Sequence, residues 1–498
     1  MAARSGDEDD LSGALLGRDR RRLAGGSARR RHVMVVVAAG AAVVCAGLLT
    51  GAGSAPAAAA ARVGTAGVQW GRAEGVPGLP AGNIRGNATV TTLSCWSVNN
   101  CAAGGYTVYG GHEQVFLVTE RNGRWDRAEK VPGLAKLNTG DSAAGVVSVS
   151  CAAGGYCAAG GYYTDSSKHQ HPFVVTGVKG RWRAAMEVPG KSVDKSWYAG
   201  VTSVSCPSAG NCAAAGTDPG FVVSQTKGRW HVARRVPGLA VSSANLGSVS
   251  CWSAGNCAAG GSSGGQALVV TERNGVWGTP EEVPGTAALN TANTAGVNSV
   301  SCARDGYCAV GGYYQLPSTG PDSPAYDSPF VASGRKGRWR AAVAWPSAPV
   351  LNGGDGPDEG DIIAVSCPSA GSCAAAGNGT LFSGPVFVVS QKNGVWGTPR
   401  RLRGIPVENL TGVTSLSCPS GGNCGAGGRA ALRTGSFVAS EENGRWTKAE
   451  NVPGMTAFTK RSDRSAVNVV SCPSAGHCTA AGTDAFHPSY YHAFVTGP

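Results

Sequence analysis

Two cysteines separated by five residues recur eight times along the chain, at intervals of roughly fifty residues. A chain that repeats one short motif in this way has to be built from similar structural units. The repeat therefore replaces the division into several unrelated domains that a length of 498 residues would suggest. The pairs are Cys95/Cys101, Cys151/Cys157, Cys206/Cys212, Cys251/Cys257, Cys302/Cys308, Cys367/Cys373, Cys418/Cys424 and Cys472/Cys478.

Each unit reads as four short strands. In one unit these are GVTSVSC (200–206), CAAAGT (212–217), GFVVSQ (220–225) and RWHVARRVP (229–237). The chain holds 76 Gly and 27 Pro, and no segment after the N-terminal region shows a sustained helical period of apolar residues. We therefore expect an all-β protein and exclude a helical bundle.

A two-residue turn joins the third strand of each unit to the fourth. Asn-Gly or Lys-Gly occupies this turn, and a Trp follows two residues after the Gly. Glycine adopts the positive φ that a tight hairpin needs, so the dipeptide predicts a hairpin and the Trp a packing position between sheets. The turns begin at Asn122, Lys179, Lys227, Asn274, Lys336, Asn393 and Asn443, and the Trp residues are Trp125, Trp182, Trp230, Trp277, Trp339, Trp396 and Trp446.

The paired cysteines flank the loop between the first and second strands. Facing positions of an antiparallel pair bring Cα atoms to about 5.5 Å, within disulfide range, so each pair is predicted to form a local disulfide. Such a short closed loop contributes about 2 to 2.5 kcal/mol. Zinc is the alternative, but five intervening residues and the lack of recurring His disfavour it.

The two ends of the repeat region complement each other. VQWGRAEGVPGL (68–79) is a fourth strand without a preceding unit, and AFVTGP (493–498) is a third strand with no Trp strand after it. Counting Trp70, eight Trp strands match eight Cys pairs. We therefore predict an eight-bladed β-propeller of four-stranded antiparallel blades, closed by pairing of the N-terminal strand with the C-terminal blade.

Segments such as TERNGRW (119–125), SQKNGVW (390–396) and SEENGRW (440–446) resemble the Asp-box of sialidase-like propellers. That family has Ser-x-Asp-x-Gly-x-Thr-Trp between the third and fourth strands; here the spacing is one residue shorter and the Asp is missing. The blade layout is also similar to propellers of the photosystem-assembly-factor type and to secreted actinobacterial repeat proteins. The resemblance implies a propeller, and it carries over no sialidase catalytic residue.

Residues 1–61 are interpreted as a signal peptide or an N-terminal anchor, followed by a single propeller domain at 62–498. A basic stretch (18–32) precedes an apolar run (33–49), and Ala59 and Ala61 fit a cleavage site before Arg62. An uncleaved anchor and a twin-arginine signal at Arg30-Arg31 remain alternatives. Each of these interpretations places the propeller outside the cytoplasm. Cys45 lies within the apolar run, so sixteen cysteines remain for disulfides.

Loops on one face of the predicted propeller vary in length, whereas those on the other face are short and uniform. Variable loops on a rigid scaffold are where binding usually occurs, so we predict a ligand-binding face rich in aromatic side chains. The alternative interpretation is that each Tyr that follows a Gly-Gly pair packs against its own loop. The predicted binding residues are Tyr162, Tyr163, His169, His171, Trp197, Tyr198, Tyr313, Tyr314, Tyr326, Tyr490, Tyr491 and His492.

The function expected from these patterns is noncatalytic recognition of an extracellular glycan, cell-wall polymer or protein by a secreted monomer. The alternative is a glycoside hydrolase or lyase of sialidase-like type, although no catalytic motif is identified. Asp355, Asp358, Glu359 and Asp361 either bind calcium or form a solvated acidic loop, and we expect no cofactor. We do not expect the protein to bind nucleic acid, although the residues after residue 61 carry a net charge of +9.

Overall fold

The computed structural model describes residues 68–79, 86–109, 112–140, 143–190, 199–239, 244–317, 325–345, 359–379, 384–406, 411–430, 435–457, 465–487 and 490–497. The chain divides into two units, residues 1–63 and 64–498, and all described residues belong to the second. The proposed targeting segment lies outside the described residues, so the boundary at residue 61 stays a prediction.

Each cysteine pair marks one repeat, which is named by its first cysteine. The first strands are Gly86–Ser97, Gly145–Ala152, Gly200–Ser208, Asn245–Ser253, Ala295–Cys302, Gly360–Ser369, Gly412–Ser420 and Ala466–Ser474. The second strands are Asn100–Tyr109, Tyr156–Thr164, Asn211–Thr217, Asn256–Ser263, Tyr307–Leu316, Ser372–Gly379, Asn423–Arg429 and His477–His487. The third strands are His112–Arg121, Gln170–Val178, Phe221–Thr226, Gln266–Arg273, Tyr326–Arg335, Val386–Lys392, Ser436–Glu442 and Tyr490–Thr496.

The fourth strand of each repeat is split into two short pieces, which the sequence pattern did not predict. The pieces are Gln69–Trp70 with Ala73–Gly75, Arg124–Trp125 with Glu129–Lys130, Arg181–Trp182 with Met186–Glu187, Arg229–Trp230 with Arg234–Arg235, Val276–Trp277 with Glu281–Glu282, Arg338–Trp339 with Val343–Ala344, Val395–Trp396 with Arg400–Arg401, and Arg445–Trp446 with Glu450–Asn451. At this break, the N–H of an Ala donates to the preceding repeat in six of the eight repeats, whereas the Cys251 and Cys367 repeats have Pro280 and Pro399 there. Ala128 donates to the carbonyl of Pro77 and Ala233 to that of Pro189, at 2.7 and 2.5 Å.

Except for Gln69–Trp70, the strands of a repeat are hydrogen-bonded in the order fourth, third, second, first, and neighbouring strands of a repeat run antiparallel. The described strands make six five-stranded sheets and one ten-stranded sheet, in which Thr217 and Asn245 link two repeats. Among the described residues, three short helices lie outside the sheets, at Leu134–Lys136, Thr286–Leu289 and Met455–Ala457. The protein is therefore an all-β structure, as expected.

The predicted Asn-Gly and Lys-Gly hairpins are confirmed. Asn274 and Gly275 have φ values of 50° and 81°, and Lys227 and Gly228 have 50° and 81°. Two consecutive positive φ values define the tight turn that matches the twist of the flanking strands. The glycine N–H then donates to the loop between the first and second strands, as Gly275 does to the carbonyl of Gly255 at 2.8 Å.

All eight predicted disulfides are present, with Cα atoms 3.9 to 4.2 Å apart. This spacing is shorter than the 5.5 Å expected, because the cysteines occupy a narrow pair in which facing residues exchange no backbone hydrogen bonds. Many disulfides are typical of an oxidising, extracellular environment. Among the described residues, no helix is long and apolar enough to cross a bilayer.

The sheets form a closed β-propeller. Each first strand contacts the first strand of the next repeat, and the first strand of the Cys472 repeat contacts that of the Cys95 repeat. The core lies between neighbouring sheets, as where Val174 and Ala158 of one repeat pack with Phe221 and Val201 of the next. The first strands are thus the inner strands of the ring.

The second cysteine of each disulfide is buried in this core, which its predicted position beside a surface loop did not indicate. The second strand lies between the first and third strands of its sheet, so its side chains pack against neighbouring sheets. The predicted local staple is confirmed, and each disulfide also fills core volume between repeats. These cysteines, at most 8% exposed, are Cys101, Cys157, Cys212, Cys257, Cys308, Cys373, Cys424 and Cys478.

The ends of the repeat region close the ring as predicted, in a register that differs in part from the prediction. Ala73–Gly75 pairs antiparallel with the third strand of the Cys472 repeat, which is the predicted contact. Gln69–Trp70 instead pairs in parallel with His477 and Cys478 of the second strand. The third strand ends at Thr496, so the Trp70 piece lies beyond it and reaches the next strand of the sheet.

Candidate functional site

Eight equivalent residues surround one end of the inner strands. Each lies on a second strand, opposite the beginning of its own first strand, and each is half-buried. We call them the rim residues; they are Tyr106, Tyr162, Thr217, Ser262, Tyr313, Asn378, Arg429 and Thr483. They lie on the face that carries the loops between second and third strands, which is the face predicted to bind a ligand.

In each predicted pair of adjacent tyrosines, only one residue belongs to the rim. Tyr162 and Tyr313 are rim residues, whereas Tyr163 and Tyr314 are 4% and 1% exposed and belong to the hydrophobic core. Successive side chains of a strand point to opposite faces, so only one member of each pair can reach a ligand. The prediction that Tyr163 and Tyr314 lie on the binding face is therefore wrong.

Glycines make room for the rim tyrosines. A Cβ at residue 145 would lie 3.2 Å from Cε1 of Tyr162, and one at residue 296 would lie 3.1 Å from Cε1 of Tyr313. Each ring therefore lies across the start of its own inner strand. The glycine and the tyrosine act together to place an aromatic ring at the end of the first strand.

Tyr106 and Tyr162 form a first cluster with Glu113. Burial, and then the negative charge of Glu113, raise the pKa of Tyr106, and the same causes together with Tyr106 raise the pKa of Tyr162. Glu113 is held in place because its Oε2 accepts a hydrogen bond from the N–H of Ala144 at 2.8 Å. Two neutral phenols and one carboxylate thus face each other across two neighbouring repeats.

Tyr313 forms a second cluster with Asp327 and Asp361. Burial, followed by the charge of Asp327, raises the pKa of Asp361 to about 7, and burial also raises the pKa of Asp327. Gln315 Nε2 donates to Asp327 Oδ1 at 3.3 Å, and Asn298 Nδ2 donates to Asp361 Oδ2 at 3.4 Å. Both carboxyl groups therefore hold their protons to a higher pH than an exposed aspartate does.

The predicted histidines of the Cys151 repeat lie apart from the rim tyrosines. Nε2 of His171 is 2.9 Å and Nδ1 of His169 is 3.9 Å from Oδ2 of Asp165. His171 also stacks on Tyr163, with ring centroids 5.2 Å apart, and the Tyr163 hydroxyl donates to Glu187 at 2.8 Å. These contacts hold the loop after the second strand and do not create a second aromatic surface.

The remaining predicted residues are dispersed. Tyr326 begins a third strand and is half-buried, and the N–H of Tyr491 donates to Asn87 Oδ1 at 3.0 Å. His492 Nδ1 lies 3.5 Å from Oδ1 of Asp484, whose pKa burial raises to about 6. Trp197, Tyr198 and the side chain of Tyr490 lie outside the described residues.

No group of three or more metal-ligating side chains occurs among the residues that the structure describes. Two members of the proposed acidic calcium loop, Asp355 and Asp358, lie outside those residues, so that alternative is untested. Asp361 is described and contributes to the Tyr313 cluster. Tyr106, Glu113 and Asp327 were not predicted from the sequence; the recurring Gly-Gly-Tyr that contains Tyr106 was the available signal.

No protein-family model matches the chain, and no curated protein matches it. Among solved structures, YCF48 from Cyanidioschyzon merolae is 12% identical, with 75% of this chain and 97% of that chain covered and a TM-score of 0.40. Sqt1 from Chaetomium thermophilum, bound to the N-terminus of the ribosomal protein L10, is 13% identical, with 83% and 98% covered and a TM-score of 0.47. The Pan2 WD40 domain of Neurospora crassa is 9% identical, with 73% and 92% covered and a TM-score of 0.41.

Proposed function

We propose that the chain is an exported, eight-bladed β-propeller of Asp-box-like type that binds a glycan through its rim. The blade count is supported by eight cysteine repeats that each carry the same four-strand pattern. Export is supported by eight disulfides and by the apolar run near the N-terminus. The propeller is a rigid scaffold, and the rim residues are its recognition surface.

The observation that carries the glycan proposal is the pair of tyrosine and carboxyl clusters. Aromatic rings stack on the C–H faces of sugar rings, and carboxyl groups accept hydrogen bonds from sugar hydroxyls. Tyr162 with Glu113 and Tyr313 with Asp327 provide this combination at two places on one rim. Two separated subsites suit an extended polysaccharide better than a single small molecule.

The test is a binding array of glycans, peptidoglycan fragments and cell-wall polymers probed with the full chain, followed by titration of each hit. We expect Tyr162→Ala and Tyr313→Ala each to weaken glycan binding by about tenfold or more, which is about 1.4 kcal/mol. Thr217→Ala and Ser262→Ala are matched controls, since they change rim positions that carry no aromatic ring. Retained affinity in both tyrosine variants would place the ligand elsewhere.

The alternative to a glycan ligand is an extracellular protein. If the array shows no glycan and an extracellular protein is captured instead, the same four variants decide whether the rim binds it. If only the tyrosine variants lose the captured protein, the rim remains the binding site and its partner is a protein rather than a glycan.

Glycoside hydrolysis is a second proposal, and the Asp327–Asp361 pair is the observation that favours it. Glycosidases use one protonated and one ionised carboxyl group on either side of the scissile bond. Asp361, with a pKa of about 7, would protonate the leaving oxygen, and Asp327 would be the second carboxyl group. Asp361→Asn should abolish release of reducing sugar from a bound glycan while binding persists; no release by the unmodified chain refutes this proposal and leaves glycan binding intact.

A further inference from the structure

A basic groove crosses the face opposite the rim. This cavity of about 1310 Å³ is formed by the turns of three consecutive repeats, those of Cys251, Cys302 and Cys367. Its lining contains six basic side chains and a single acidic one, Asp305. The basic residues of the groove are Arg273, Arg304, Arg335, Lys336, Arg338 and Arg340.

Little of this positive charge is neutralised by the protein. All six basic side chains are exposed, and among the described residues Arg335 is the member with a carboxylate partner, Asp305, at 3.4 Å. Arg273 Nη2 donates to the backbone carbonyl of Lys336 at 2.8 Å, a contact that fixes the guanidinium without cancelling its charge. The groove therefore keeps a strong positive field.

A second basic cavity, of about 620 Å³, lies between the Cys367 and Cys418 repeats. The described part of its lining contains Arg400, Arg401, Arg403 and Arg445 and no acidic residue. The Cys367 repeat contributes to both cavities, with Asn393 in the first and Gly397 in the second. Basic lining thus recurs over four consecutive repeats, which is the pattern expected for a linear ligand with regularly spaced negative charges.

The aromatic residues of the groove offer little stacking surface. Trp252 and Tyr307 are 8% and 9% exposed, and Tyr307 is fixed by a hydrogen bond from its hydroxyl to Gln391 Oε1 at 3.1 Å. Trp339 is half-buried and packs against the hydrophobic core. Single-stranded nucleic acid is bound largely by stacking on exposed aromatic rings. Nine of the ten basic residues in the two cavities are arginines, and the guanidinium group matches phosphate oxygens with two parallel hydrogen bonds.

We propose that this basic groove binds a linear phosphodiester polymer without aromatic groups, of the poly(glycerol phosphate) kind. The polymer supplies one negative charge per unit, and the groove supplies six basic side chains, five of which are arginines. This site is separate from the rim, lies on the other face and uses none of its residues. The groove contains part of the excess positive charge that the sequence carries.

The experiment titrates the full chain with purified poly(glycerol phosphate) at increasing salt concentrations. We expect the logarithm of the binding constant to fall linearly with the logarithm of salt, because each neutralised phosphate releases counterions. Arg304→Glu/Arg338→Glu should weaken binding by about tenfold or more. The matched control is Arg124→Glu/Arg229→Glu, which changes the same net charge at exposed residues outside the groove, each preceding the Trp of its own turn as Arg338 does.

Three outcomes would overturn the proposal. The first is no binding at low salt, and the second is equal weakening in both double variants, which would show attraction by net charge alone. The third is stronger binding of heparin or of a single-stranded oligonucleotide, which would assign the groove to a sulfated glycan or to nucleic acid. Unchanged binding in Tyr162→Ala and Tyr313→Ala is expected here, so failure of the rim proposal would leave this result unaffected.

Discussion

The backbone N–H of Cys95 donates a hydrogen bond to Oγ of Ser471 at 3.0 Å, although 376 residues separate the two. The same bond joins every repeat to the next, from the first cysteine to the serine that precedes the cysteine of the neighbouring repeat. The other pairs are Cys151 with Ser94, Cys206 with Ser150, Cys251 with Ser205, Cys302 with Ser250, Cys367 with Ser301, Cys418 with Ser366 and Cys472 with Ser417. A closed ring of serine hydroxyls therefore links the inner strands.

Ser471→Ala should lower the free energy of unfolding by about 1 kcal/mol, because the half-buried N–H of Cys95 loses its acceptor. Denaturant unfolding of the two proteins measures the difference. The opposite substitution, which adds a hydroxyl group instead of removing one, is also possible. Three residues before the cysteine, Ser203 accepts from the N–H of Val249 at 3.0 Å, whereas the equivalent residue of the Cys367 repeat is Ala364.

Ala364→Ser should therefore add a hydrogen bond to the next repeat and raise the free energy of unfolding by about 0.5 to 1 kcal/mol. Opposite effects of Ser471→Ala and Ala364→Ser would establish the hydroxyl ring as a stabilising element. If neither variant shifts the unfolding midpoint, the hydroxyls contribute no more than water would.

Trp70→Ala should open the seam at which the two ends of the repeat region meet. Trp70 is 8% exposed, and its Nε1 donates to Ser440 Oγ at 3.0 Å. Removal of a buried Trp costs about 3 to 5 kcal/mol. We expect a lower unfolding temperature together with faster hydrogen exchange in residues 494–496, which pair with Ala73–Gly75.

Trp277→Ala is the matched control, since Trp277 makes the same bond to Ser224 at 3.0 Å within the ring. It should destabilise the protein without a selective increase of exchange in residues 494–496. Equal exchange in the two variants would mean that the seam is no weaker than any other contact between repeats.

The sequence was sufficient to predict the disulfides and the hairpin turns, because each depends on local chemistry, and the closure, because each end of the repeat region contains the strand that the other end lacks. Cysteine spacing limits the partners within reach, and Asn-Gly fixes a backbone conformation. The rim could not be predicted in the same way. Tyr162-Tyr163 and Tyr313-Tyr314 are identical dipeptides, and which ring faces the core depends on the neighbouring sheet. The clusters with Glu113 and Asp361 depend on pairing across repeats and carry no local signal.

Tyr314→Ala and Tyr313→Ala should separate packing from recognition. Tyr314 is 1% exposed, so its truncation is expected to cost about 3 to 5 kcal/mol in the free energy of unfolding. Tyr313 is half-buried at the rim, and its truncation should cost about 1 kcal/mol or less while it weakens glycan binding. Thermal unfolding and ligand titration of both variants provide the measurement. A larger loss of stability for Tyr313→Ala would make that residue a packing residue.

Three buried glutamates occupy one position of the repeat, each facing the Trp of its own turn. Glu120, Glu272 and Glu441 are at most 1% exposed, and the same position holds Gln225 and Gln391 in two other repeats. Burial raises the pKa of all three carboxyl groups, and for Glu120 the charge of Glu74 adds to the effect, so that its pKa reaches about 7. Hydroxyl donors at Ser224 and Ser390 act in the opposite direction on Glu272 and Glu441.

Glu120→Gln should remove part of the pH dependence of stability. The folded protein keeps the Glu120 proton up to a pH of about 7, whereas an unfolded chain releases it near 4.5. Stability from this group is therefore fully present below pH 4.5 and is lost as the pH rises towards 7, by up to roughly 3 kcal/mol. The glutamine variant should match the unmodified chain near pH 4.5 and be more stable at pH 8, as measured by unfolding across this range. Glu450→Gln, which removes an exposed carboxylate, is the control; parallel pH profiles for all three proteins would show that Glu120 is ionised in the folded state.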